Sequence, residues 1–196
     1  MLRFEINPRS FVRAALIHLR EGEDIAPQDE SHLFAGWGSC TDDPDIIQRY
    51  ESLRAKERWG AELENSQVLK LIFFNLRHGV ADWPLLVQGV AVLLGQGPHH
   101  LLCASGDAAR KLMTRRNQVL REIHRLTGFT RLTPAPDGTM VGKAPAKHHT
   151  GDLLALGLAR RNPASPLALL TPTGSWYAWK GRVLPLEDRG IELADD

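Results

Sequence analysis

Apolar residues recur at helical spacing through the first two thirds of the chain and at strand-like spacing beyond residue 128. Residues 2–6 read as a first strand. Asn7 then offers an N-cap and Pro8 a first helical position, with Phe11, Ala15 and Leu19 on one face and Gly22 as the stop. From Glu23 to Asp45, acidic residues with Pro27, Gly36 and Gly38 predict a long loop in which Phe34 and Trp37 pin the chain to the core. Residues 46–59 predict a helix. Residues 66–78 predict another, apolar at 68, 69, 72, 73 and 76 and followed by Gly79. Asp82 and Pro84 open the next, with Leu86, Val90, Leu93 and Leu94 turned inward. After Gly95–Gly97, Ser105 or Asp107 caps a long helix to about residue 126, which Thr127-Gly128 ends.

The period then changes. Residues 129–134 and 139–144 flank Pro136-Asp137-Gly138 and predict an antiparallel hairpin. Thr150 caps a short helix over 152–161, and residues 167–171, 175–180 and 183–186 predict three further short strands. The resulting class is α+β: an N-terminal helical part followed by a small, mainly antiparallel sheet of two hairpins with an intervening helix. One domain is expected over 1–196, with an acidic, mainly helical half at 1–105 and a basic helix-plus-hairpin half at 106–196.

With 43% hydrophobic and 24% charged residues, the composition excludes disorder as the main state. No stretch approaches the roughly 18 apolar residues of a membrane helix, and residues 1–7 lack the pattern of a signal peptide. A cytoplasmic protein with no membrane partner is expected. Cys40 and Cys103 form no Cys-x-x-Cys pair, so a disulfide scaffold and a cysteine-rich zinc module are both unsupported, and both thiols are expected to be small buried hydrophobes. No cofactor or metal is implied.

Charge alters this picture. The net charge is only +1, yet residues 110–182 hold thirteen Lys and Arg against three acids, Glu122, Asp137 and Asp152. That window carries +10 and the remainder −9. Such a basic excess concentrates polyanions, and nucleic acid is the commonest in a cell. On a helical wheel started at Arg110, Lys111, Arg115, Arg121 and Arg125 fall within about 140°. Leu112, Met113, Val119, Leu120, Ile123 and Leu126 occupy the opposite arc. Arg116 lies inside that apolar arc and is expected to be partly buried in an ion pair. Downstream, Arg131, Lys143, Lys147, Arg160 and Arg161 extend the basic surface.

Glu122 and His124 lie about 200° apart on the wheel, which excludes an acid–base dyad between them. His124 and the pair His148-His149 remain as candidate catalytic groups. His148-His149 precede a helix N-terminus able to hold phosphate, but adjacent histidines are poor joint metal ligands. His99-His100 read as loop surface. In residues 175–180, alternation sends Trp176 and Ala178 to one side and Tyr177 and Trp179 to the other. One pair packs in the core; the other, beside Lys180 and Arg182, can stack on an unpaired base. Gly-x-Ser-x-Gly, P-loop, Gly-x-Gly-x-x-Gly and His-Glu-x-x-His motifs are all absent. Asp42, Asp43 and Asp45 read as helix-capping residues rather than a cation site.

Glu122-x-His124-Arg125 followed by Gly128-Phe129-x-Arg131 resembles the bacterial "probable DNA metabolism protein" domain. That domain is encoded beside a DNA-repair-type radical-SAM protein and is found fused to uracil-DNA glycosylases. Pro145, His148 or His149, Arg160-Arg161 and the hairpin over 169–180 resemble its later features, and weaker similarity reaches residues 10–27. The resemblance implies a DNA repair or modification context, and a radical-SAM protein or a uracil-DNA glycosylase as partner. It brings no catalytic residues. Arg116, Gly128 and Phe129 are expected to be structural or buried.

The expected function is that of a nucleic-acid-binding accessory protein, with DNA ahead of RNA. Its contacts are Arg110, Lys111, Arg115, Arg121, Arg125, Arg131, Lys143, Lys147, Arg160, Arg161, Trp179 and Lys180. The alternatives are a hydrolase or base-modifying enzyme using His124 with His148 or His149, and a protein–protein adaptor that binds no nucleic acid.

Overall fold

A computed structural model describes residues 2–27 and 43–186; Phe34, Trp37, Cys40 and Asp42 lie outside the described residues. The chain forms two compact units, Met1–Gln118 and Val119–Asp196. The division falls inside the long basic helix. Ala109 and Leu112 of that helix belong to the first unit's core, whereas Glu122 is bonded into the second unit.

In unit 1, β1 (Leu2–Phe4) and β2 (Ile25–Pro27) pair in parallel, and α1 (Pro8–Glu21) connects them. The Asn7 side chain accepts the Ser10 N–H at 2.8 Å, and Gly22, at φ 72°, donates its N–H to the His18 carbonyl. Both ends of α1 are therefore set by the residues the sequence offers for them. β2 occupies what was expected to be loop. Next come α2 (Pro44–Arg54), a 3-10 turn at Gly60–Glu64, α3 (Ser66–Leu76), α4 (Trp83–Gln96) and α5 (Pro98–Leu102). Asp43 and Asp82 cap α2 and α4 through their side chains. α2 stops five residues short of the expected 59, and α5 replaces the loop at His99-His100, whose side chains are exposed as expected. Cys103, expected to be buried, is exposed at the end of α5.

Phe4, Phe11, Leu16, Ile17, Tyr50, Leu71 and Leu93 are at the centre of the unit 1 core. Phe4 meets Phe11 and Trp83 edge-on at ring-centroid distances of 5.3 and 5.4 Å, a favoured aromatic geometry. Five of the described acids of this unit are paired with its own arginines. Arg20 is bonded to Glu57, Arg49 to Glu21 and Glu23, and Arg54 to Glu51 and Glu64. The Arg20 guanidinium holds the Glu57 carboxyl below the usual range.

α6 (Asp107–Phe129) passes from unit 1 into unit 2. Leu112, Val119 and Leu126 are buried, and Arg110, Lys111, Arg121 and Arg125 are exposed, as the wheel predicts. Unit 2 then builds a five-stranded sheet in the order β3-β4-β5-β6-β7. Its strands are β3 (Leu132–Pro134), β4 (Met140–Lys143), β5 (Leu167–Thr171), β6 (Gly174–Trp179) and β7 (Arg182–Pro185), with α7 (Gly151–Arg161) between β4 and β5. The mainly antiparallel α+β class is realised. β4 and β5 pair in parallel, with α7 as the crossover that joins the two hairpins into one sheet. α7 packs on β5 and β6. Leu154, Ala155 and Leu158 are buried, as are Leu167, Leu169, Trp176 and Ala178 of those strands. Among the described residues, no helix is long and apolar enough to cross a membrane.

Candidate nucleic-acid interface

Between residues 119 and 186 the sequence has nine Lys and Arg and three acids. All nine basic residues, Arg121, Arg125, Arg131, Lys143, Lys147, Arg160, Arg161, Lys180 and Arg182, are exposed. Two of the acids are engaged by hydrogen bonds. Glu122 is 5% exposed, and its two carboxylate oxygens accept the backbone N–H groups of Lys147 at 3.0 Å and His148 at 2.9 Å. Asp137 accepts the N–H and hydroxyl of Thr139 at 2.9 and 3.0 Å, which holds its carboxyl below the ordinary range and closes the β3–β4 turn. None of the nine basic side chains forms an ion pair with a described residue. Arg161 instead donates to the Thr127 carbonyl at 2.8 Å, where a cation complements the C-terminal end of α6.

The sheet adds an aromatic component. β6 and β7 are joined by Lys180-Gly181, with φ values of 49° and 79°, the paired positive angles of a tight hairpin turn. That turn sets Trp179 opposite Arg182 and Tyr177 opposite Leu184. Opposed residues share a face, so Tyr177, Trp179, Arg182 and Leu184 lie together, away from Trp176 and Ala178. Trp176 and Ala178 are the buried pair, whereas Tyr177 and Trp179 are half-buried and Leu184 is 58% exposed. The Lys180 ammonium sits 5.6 Å from the Trp179 ring centroid, within cation–π range. Of this face, Leu184 was not anticipated. Its spacing of two from Arg182 on one strand was the signal available.

Several expected site residues are placed differently. In unit 1, Lys111 is ion-paired with Asp107 at 2.7 Å. Arg115, expected on the exposed basic face, is half-buried and donates to the Val80 carbonyl at 2.5 Å. Desolvation lowers its pKa, and the charge of Asp82 opposes that shift. Arg110 is exposed. Arg116 is half-buried as the wheel predicts, but no acid among the described residues pairs with it, so the expected ion pair is absent. A long side chain can bury its stem and keep its head in water, which removes the need for a partner.

Gly128 and Phe129 are placed differently from the expectation. Gly128 does not end α6; the helix continues through it to Phe129, a residue 78% exposed rather than buried. His124 is exposed and lies on α6 away from buried Glu122, consistent with the exclusion of that dyad. His148 and His149 are half-buried beside the start of α7. No group of three or more His, Cys, Asp or Glu among the described residues is arranged to hold a metal ion.

No family model, curated protein or solved structure matches this chain.

Proposed function

We propose that the chain is a nucleic-acid-binding accessory protein of DNA repair or modification, acting in the cytoplasm, and that its second unit holds the strand. One observation carries this reading. Every Lys and Arg between residues 119 and 186 is exposed without an ion-pair partner among the described residues, whereas Glu122 and Asp137 are consumed by backbone bonds. Exposed cations without counter-charges repel one another in the free protein, and a phosphate backbone relieves that repulsion on binding. Tyr177 and Trp179, beside Lys180 and Arg182, supply flat surfaces on which bases can stack. The repair context, and a radical-SAM protein or uracil-DNA glycosylase as partner, rest on the resemblance of residues 122–131.

The test is the salt dependence of binding to a short DNA oligonucleotide. If about five phosphates are contacted, the slope of log affinity against log salt is about −4.5 on duplex. Replacing Arg121 and Arg125 together by Ala weakens binding and makes the slope shallower by up to about two. A slope near zero, or an unaltered double variant, overturns the reading.

A further inference from the structure

Phe129 is one of three large apolar side chains left exposed among the described residues, with Val80 and Leu184. Its surroundings single it out. It ends a long helix whose last turn is tied down. Thr130 donates both its N–H and its hydroxyl to the Leu126 carbonyl, at 2.9 and 2.7 Å, and the Thr127 hydroxyl donates to the Ile123 carbonyl at 2.7 Å. The ring therefore projects from a fixed tip rather than from a loose loop. Arg125 stands one turn earlier on the same helix face, and Arg131 follows two residues later. Arg161 is held at the tip by its bond to the Thr127 carbonyl. One ring is far smaller than the apolar core of a protein interface. A flat apolar surface among cations matches the combined chemistry of a nucleobase and its phosphates.

Resting on the nucleic-acid reading above, we propose that Phe129 is a wedge that stacks into an interrupted base stack of DNA, such as a gap, with Arg125, Arg131 and Arg161 taking the adjoining phosphates. Phe side chains inserted at base steps unstack and kink duplexes, at a cost that is lowest where pairing or stacking is already broken. What one ring recovers by stacking does not exceed what opening an intact step costs. Selectivity for the broken stack follows.

The experiment compares an intact duplex with the same duplex carrying a one-nucleotide gap flanked by 2-aminopurine, using the full chain, Phe129→Ala and Phe129→Trp. The parent is expected to favour the gapped duplex by about tenfold and to change the 2-aminopurine fluorescence. Phe129→Ala loses that preference and the fluorescence change, keeps its affinity for the intact duplex and melts like the parent. Phe129→Trp retains both. Equal binding of the two duplexes by the parent, or an unaltered Phe129→Ala, overturns the wedge and leaves the nucleic-acid reading standing. A large fall in the melting temperature of Phe129→Ala places the ring in the fold and also overturns it. Failure to bind either duplex overturns both proposals.

Discussion

Glu122 on α6 holds the backbone of His148: its carboxylate accepts the His148 N–H at 2.9 Å through one oxygen and the Lys147 N–H at 3.0 Å through the other. The two histidines that head α7, and Lys147 beside them, are thus set in place by a buried acid 26 residues earlier. A charged acceptor serving two amide donors is among the stronger hydrogen-bond arrangements, and removing it strands both donors. Glu122→Gln keeps the shape but leaves one oxygen to serve two amides, and should cost about 1–3 kcal/mol in a denaturant melt. Glu122→Ala should cost more. A Gln variant as stable as the parent would show that the amides find other partners.

The contrast between α1 and the end of α6 shows what can be read from local sequence. Asn7, Pro8 and Gly22 delimit α1 because their chemistry acts within a few residues. Gly128 carries a similar signal and is overridden. A mid-helix glycine costs only about 1 kcal/mol, and the bonds from Thr130 to the Leu126 carbonyl extend the helix past it. Phe129 is exposed as a result. β2 was illegible because three residues pair in parallel with a strand more than twenty positions away. The parallel join of β4 to β5 has the same non-local origin. Of the site, the charges and the Trp176/Trp179 alternation were legible, since both follow from residue type and period. The role of Glu122 was not, because its partners are backbone amides that carry no sequence signature.

Arg116 tests how the helical wheel converts into energy. It is half-buried on α6 with no acid among the described residues to pair with it. Its removal therefore strands no carboxylate. Arg116→Met, which keeps the apolar stem, should change stability by less than about 1 kcal/mol, whereas loss of a buried ion-pair member costs about 3–5 kcal/mol. Thermal melts separate the two cases.

Gly151, the first residue of α7, lets that helix approach the sheet. A Cβ there would lie 2.2 Å from Trp176 Nε1 and 2.5 Å from Trp176 Cδ1, both on a buried ring. The ring would have to shift, so Gly151→Ala should destabilise unit 2 by about 1–3 kcal/mol despite alanine's better helix propensity. Trp fluorescence should report the displaced ring. A variant as stable as the parent, with unshifted emission, would mean that α7 stands further from Trp176.

Tyr50 gives a pH-dependent prediction in unit 1. Its side chain is fully buried, its hydroxyl has no hydrogen-bond partner among the described residues, and Arg13 and Arg54 lie 5.6 and 5.9 Å from its ring centroid. Burial pushes the phenol up to about 12, with Glu64 reinforcing and Arg54 opposing the shift. In the unfolded chain tyrosine releases its proton from about pH 10, while in the fold it holds it to about pH 12. The unfolded state therefore binds fewer protons across that window, and the contribution of Tyr50 to stability is full below pH 10 and falls as pH rises toward 12. The loss should reach about 2 kcal/mol after allowance for the neighbouring arginines. Tyr50→Phe removes an unpaired buried hydroxyl, so at neutral pH it should match the parent or exceed it by up to about 1 kcal/mol. Above pH 10 its advantage should grow. A Phe variant that is clearly less stable at pH 7 would show that the hydroxyl is hydrogen-bonded in the folded protein, and a difference from the parent that does not change between pH 8 and pH 11 would show that burial does not raise the phenol's pKa.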